Sequence, residues 1–197
     1  MNRHSWIGLA AAVCVLAPSA EASVVTWTTS GPVTALADPT DMTDGATQWS
    51  LEVTFDTLSV DMSPGDPSLG TYPASSVLTM NTFSVSFASQ LLIYNDAGGG
   101  AMDAIAIESS GVPAGWNSFS AAVTLEDWTA TALVSDAIPG LPPGVNAFGQ
   151  RSFGIIGQTT GVPAIQAAGE VETLVPEPAS AVLLALGGLA MWHRRRR

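Results

Sequence analysis

In the stretch WSLEVTF, Trp49, Leu51, Val53 and Phe55 alternate with Ser50, Glu52 and Thr54. A period of two puts the apolar set on one face of an extended strand and the polar set on the other, and a helix would scatter both. TFSVSF repeats the pattern with Phe83, Val85 and Phe87. FSAAVTL repeats it with Phe119, Ala121, Val123 and Leu125. Further strands are expected over Val24–Val33, Leu91–Tyr94, Ala104–Glu108, Ser152–Ile156 and Gly169–Leu174. The segments between them, DPTDMTDG, DMSPGDPSLGTYP, NDAGGG, GVPAGWN and IPGLPPGVN, are dense in turn-forming residues. Short alternating strands with such connections predict an all-β fold, an antiparallel β-sandwich of about eight strands burying a core between two sheets. One helical turn is expected near Val134–Ala137 or just before Phe148.

The two ends of the chain read differently. Arg3 and His4 precede an apolar run from Trp6 to Ala17, followed by Pro18 and the small-residue pattern Ala20-Glu21-Ala22. This is the layout of a secretory signal peptide, a short helix cut after Ala22. The run of about 12 residues is too short to span a bilayer, which takes about 20. At the other end, Val175-Pro176-Glu177-Pro178 leads into 14 uncharged, mostly apolar residues, Ala179 to Trp192, and then Arg194, Arg195, Arg196 and Arg197. As a short helix the apolar run would rise about 21 Å. That falls short of a hydrocarbon core of about 30 Å, and snorkelling arginines with local thinning make up part of the difference. The arginines would stay on the cytoplasmic side and place the body outside.

This tail resembles the PEP-CTERM sorting signal of Gram-negative bacteria, a segment also filed as an "ice-binding protein C-terminal domain". The resemblance implies that Val175, Pro176, Glu177 and Pro178 are the motif read by a membrane-embedded exosortase. It also implies that Ala179–Trp192 is a transient inner-membrane anchor and Arg194–Arg197 the stop signal. The body resembles, more loosely, an uncharacterised all-β domain common in such exoproteins, through VTFDTLSVD, GTYP, the NDAGGG loop and SFSAAVTLEDWTATALVSDAIP. The expected layout is a signal peptide over 1–22, a β domain over 23–174 and a sorting signal over 175–197.

Between these ends composition is restrictive. The one cysteine, Cys14, lies in the signal segment, and the two histidines are His4 and His193. The chain has no lysine, and Arg151 is the only base from Ser23 to Pro178. Of 17 acids only Glu21 lies outside that body, leaving 16 against one base. A surface so acidic repels phosphate backbones, so nucleic acid is not an expected partner. Ser-His-Asp and Cys-His catalysis lack their base, and the usual zinc sites lack His and Cys ligands. Gly98-Gly99-Gly100 has no following Lys-Ser and reads as a hairpin tip.

What remains is carboxylate and aromatic chemistry. A glycosidase needs two carboxylates flanking one bond. Glu126 and Asp127 are neighbours that a strand points to opposite faces, and Glu52 and Glu108 are the other candidates. Calcium, which takes six to eight oxygens, has three acidic loops to choose from. These are Asn95–Asp96–Asp103, Asp38–Asp41–Asp44 and Asp61–Asp66, although Asp and Asn in turns ordinarily bond their own backbone. Trp116, in a Gly/Pro loop, reads as the most exposed tryptophan, or as a plug over one end of the fold. Ice binding would need a regular threonine array, and no repeat spaces the threonines. The expectation is an exported, acidic surface or extracellular-matrix protein without catalytic activity or cofactor, handled by an exosortase. Its alternative is a polysaccharide- or calcium-binding module with exopolysaccharide as a further partner.

Overall fold

The computed structural model describes residues 24–139 and 141–177. The expected signal helix and C-terminal apolar helix lie outside these residues. Nine strands run in chain order: β1 (Val24–Ala37), β2 (Gln48–Asp56), β3 (Leu69–Met80), β4 (Phe83–Asp96), β5 (Met102–Ser109), β6 (Trp116–Asp127), β7 (Gln150–Thr159), β8 (Ile165–Gly169) and β9 (Thr173–Pro176). A four-residue turn, Ala97–Gly100, whose Gly98, Gly99 and Gly100 take left-handed backbone angles, joins β4 to β5, and a 3-10 turn, Val145–Ala147, precedes Phe148.

Each strand pairs antiparallel with its successor from β1 to β8, and β8 and β9 pair back onto β1. The sheet therefore closes on itself. The fold is an eight-position up-and-down barrel, and the expected sandwich is corrected. β1 is the closing element. Along Val24–Pro32 one edge pairs with β2. Its other edge takes β9 over Trp27–Ser30 and β8 over Val33–Ala37, with a register shift between Val33 and Ala35. β8 and β9 together fill the eighth position. The junction between them turns the Glu170 carbonyl toward the Trp49 indole, whose Nε1 donates to it at 3.2 Å.

Alternation sorts side chains between interior and solvent as the sequence pattern requires. On β2, Trp49, Leu51, Val53 and Phe55 are buried while Glu52 is exposed. Leu78, Ile93, Ile105 and Leu125 are fully covered, each contributing about 1.5–3 kcal/mol of apolar burial. Trp49 stacks on Phe153 at 4.1 Å and 13° across the interior, and Trp27 meets Phe55 edge-on at 4.8 Å. An eight-stranded barrel is just wide enough for side chains to fill, and here apolar ones fill most of it, with Thr29, Ser76 and Ser89 among them. The apolar-in, polar-out arrangement is the reverse of a membrane-spanning barrel.

The two ends differ in construction. The distal end carries the β1–β2, β3–β4, β5–β6 and β7–β8 connections. A register shift at the start of β6 turns Trp116 inward there. Its ring lies edge-on to Phe83 at 6.0 Å and to Phe119 at 5.3 Å. Gly157 makes room for it, since a Cβ at that position would collide with the indole.

The proximal end carries the β2–β3, β4–β5 and β6–β7 connections and both described termini. The β6–β7 loop crosses this mouth. Its Leu133 N–H donates to Asp103 of β5, and its Asp136 carbonyl accepts the Tyr72 hydroxyl of β3. The chain then returns to β7, four strand positions from β3. Ala132, Leu133, Ile138 and Val145 pack against the core on the way. The loop is a lid built into the fold.

Candidate functional site

The residues expected to carry sorting begin in the barrel wall. β9 pairs Thr28 with Val175 and Trp27 with Pro176, and the Glu177 N–H donates to Thr26 O at 3.0 Å. The last strand thus runs past the expected boundary at 174. Val175 is half exposed. β7 is paired with β8 and not with β9, so the far edge of β9 carries no strand partner among the described residues. Three of the four expected motif residues are fixed at the proximal end. Pro178, Arg194–Arg197, and Ala20 with Ala22 lie outside the described residues.

The acidic loops use their carboxylates on their own backbone. Asp38 accepts from the N–H and hydroxyl of Thr43 and of Thr40. Burial pushes its carboxyl up, but these hydrogen bonds, led by the Thr43 N–H, outweigh burial and hold it at about 2. Asp41 and Asp44 take left-handed turn conformations at φ 55° and 50°. Asp61 accepts from the Ser63 and Thr71 N–H groups, and Asp66 from the N–H and hydroxyl of Ser68. Hydrogen bonds from the Ser68 hydroxyl and N–H lower the Asp66 carboxyl.

Asp103, fully buried, accepts from the Asp96 N–H at 3.0 Å and the Leu133 N–H at 2.8 Å. Asp127 accepts the hydroxyls and N–H groups of Thr129 and Thr131 and the N–H of Ala132. The Thr129 hydroxyl bond, followed by the Thr131 and Thr129 N–H bonds, holds its carboxyl well below the ordinary range. These contacts are turn and lid chemistry. Among the described residues no group of three or more His, Cys, Asp or Glu side chains is placed to hold a metal ion.

Glu52 and Glu108 do not meet. They leave the wall on β2 and β5, with β3 and β4 between them. Three strand spacings of about 14 Å in all, with a further offset along β4 from the level of Ser86 to that of Gln90, keep them beyond the reach of paired glycosidase carboxylates. Glu126 and Asp127 take opposite faces, Asp127 being buried and Glu126 half-buried.

The aromatic expectation divides. Trp116 is half-buried and plugs the distal end, whereas Trp128, at the start of the lid, is 58% exposed. Its position just past the inward Asp127, where β6 ends, is the signal that could have found it. Sequence reading also passed over a trough of about 520 Å³ on the outer wall. Ala35, Ala168, Gly154 and Ala122 form one cross-strand row of its floor, and Gln166, Ile156 and Ser120 lie in the next. Four neighbouring strands carry very small outward side chains at one level, so the wall is shallow there. That size suits a small ligand or one sugar unit.

The C-terminal segment, residues 174–197, matches the PEP-CTERM protein-sorting motif. The motif marks the chain as an exported protein, sorted to the cell surface and processed by an exosortase. No curated protein and no solved structure matches the chain.

Proposed function

We propose that the barrel is a non-catalytic surface or extracellular-matrix module, delivered by exosortase processing at Val175–Pro178. The observation that carries this reading is the use already made of the groups that could do chemistry. The body has no His, Cys or Lys. The carboxylates of Asp38, Asp103 and Asp127 are taken up by backbone and hydroxyl donors. The barrel interior is packed with apolar side chains. These features favour a rigid scaffold over a catalyst.

A direct test expresses the chain in a host with its exosortase gene present or deleted, then fractionates the cells. The barrel is expected at the surface or in the medium only when exosortase is present. Equal release from both strains would overturn the sorting part of the reading. Turnover of a glycoside panel by the purified protein would overturn the non-catalytic part.

The outer trough supports a second reading, a carbohydrate-binding module. Ile156, 48% exposed, offers an apolar contact beside the Gln166 amide and the Ser120 hydroxyl. Glycan-array binding that disappears in Ile156→Asp, with the melting temperature preserved, would favour it. A blank array would remove it.

A further inference from the structure

The exposed apolar side chains are not spread evenly over the barrel. Leu58, Val60 and Met62 lie on the β2–β3 loop, and Trp128, Val134 and Leu141 on the lid, all at the proximal end. Val60 is 82% exposed and Val134 99%. The distal loops expose only Met42 and Val112 among their described large apolar residues. Concentrations of exposed apolar groups mark contact surfaces.

What this end faces follows from where the chain leaves it. Glu177 is still hydrogen-bonded to β1. The uncharged run begins at Ala179, two residues on. Two residues span at most about 7 Å. If that run enters a bilayer, the proximal mouth is drawn down to the lipid headgroups, with no linker to hold it clear. We propose that the proximal end of the barrel is a membrane-facing surface. Its two loops rest in the phospholipid interface for as long as the tail is attached.

The chemistry suits a shallow contact. Trp128 has the amphipathic ring favoured at headgroup level, and the valines and leucines of the two loops supply apolar area. Asp61, Asp66 and Asp136 belong to the same loops, so the preferred surface is zwitterionic and anionic lipid weakens the contact. Among the described residues no helix is long and apolar enough to cross a membrane, and the contact asks for none. The orientation rests on the reading of the tail as a membrane anchor, but the loops can be examined separately from the tail.

The test uses the mature full-length chain reconstituted in phosphatidylcholine vesicles. Cleavage of the signal segment removes Cys14, so single thiols can be introduced as Val60→Cys, Val134→Cys, Val112→Cys and Ala185→Cys. Each is labelled with a fluorophore whose emission shifts to the blue outside water. Labels at 60 and 134 are expected to shift to the blue and to be quenched by nitroxide-bearing lipid, while the distal label at 112 stays as in water. If 185 is quenched by lipid but 60 and 134 behave like 112, the tail inserts and the membrane-facing surface is refuted. If 60 and 134 are quenched but 185 is not, the surface stands and the tail reading fails. If none is quenched, both fall.

Discussion

Asp103 and Asp127 stand opposite one another on β5 and β6, and both carboxylates are turned to the same loop. Like charges directly across a sheet ordinarily repel. Here each is surrounded by donors: the Leu133 and Asp96 N–H groups for Asp103, and the Thr129–Ala132 turn for Asp127. The pair folds the start of the lid down over the mouth. Replacing Asp103 with Ala would leave the Leu133 and Asp96 N–H groups without their acceptor, at a cost of about 1–3 kcal/mol. Urea unfolding should show that loss. Limited proteolysis should show new cleavage within the lid.

Acid should loosen the barrel at both ends, through Asp38 in the β1–β2 loop and Asp127 at the start of the lid. The carboxyls of Asp38 and Asp127 are both lowered in the fold by hydrogen bonds. A lowered group stabilises the fold above its unfolded pKa of about 3.9, and the contribution disappears as pH falls through the folded value. For Asp38 the loss runs from about pH 4 down to about 2, and for Asp127 it continues lower. Melting temperatures taken from pH 7 to pH 2 should be flat above about pH 5 and fall below about pH 4. Asp38→Asn combined with Asp127→Asn should flatten the acid limb. An unchanged limb in the double variant would count against this assignment.

Thr29 offers the opposite case. It is completely buried on β1, and its hydroxyl has no hydrogen-bond partner among the described residues. A buried hydroxyl without a partner costs about 1–3 kcal/mol. Valine has nearly the same shape and nothing to desolvate. Thr29→Val should therefore raise stability by up to about 1 kcal/mol in urea titration. A clear loss would mean that the hydroxyl is satisfied in solution, as by a buried water.

Much of the wall could be read from alternation, and its exceptions have physical causes. β2 and the heart of β6 follow the expected pattern because every inward position there is apolar. β3 escaped reading, and β4 appeared as two short strands. Both contain an inward serine, Ser76 and Ser89, whose hydroxyls bond each other at 2.8 Å in the interior. The pair satisfies itself across two strands, which no local window reveals. Closure was hidden for a similar reason: sandwich and barrel strands alternate alike. The difference lies in β1 serving β2 on one edge and β8 with β9 on the other. At the candidate sites, the PEP-CTERM segment was legible because it is contiguous in the chain. The exposed Trp128 and the trough were not, because they depend on which strands become neighbours.

The lid also depends on one close approach. A Cβ on Gly70 would point inward and strike the Asp136 carbonyl oxygen, the atom that accepts the Tyr72 hydroxyl. Gly70→Ala should push the lid off β3 and cost about 1–3 kcal/mol, the usual penalty of overpacking. Tyr72→Phe removes the hydrogen bond without the collision and should cost about 0.5–1.5 kcal/mol. Near-ultraviolet circular dichroism should register the displacement in the first variant more than in the second.

Pro176 and Glu177 separate folding from sorting. Both belong to the barrel edge, yet what holds that edge is the Glu177 N–H on Thr26 O and the β9 ladder, not their side chains. Pro176→Ala and Glu177→Ala keep those backbone groups. Stability should move by no more than about 0.5 kcal/mol, as for ordinary surface changes. If an exosortase reads these side chains, the same variants should accumulate uncleaved in the inner membrane. Fractionation beside a melting curve distinguishes the outcomes. Normal melting with failed release assigns the residues to recognition. Failed release with a lowered melting temperature would assign them to the barrel. Unaltered release of both variants would remove them from the sorting signal.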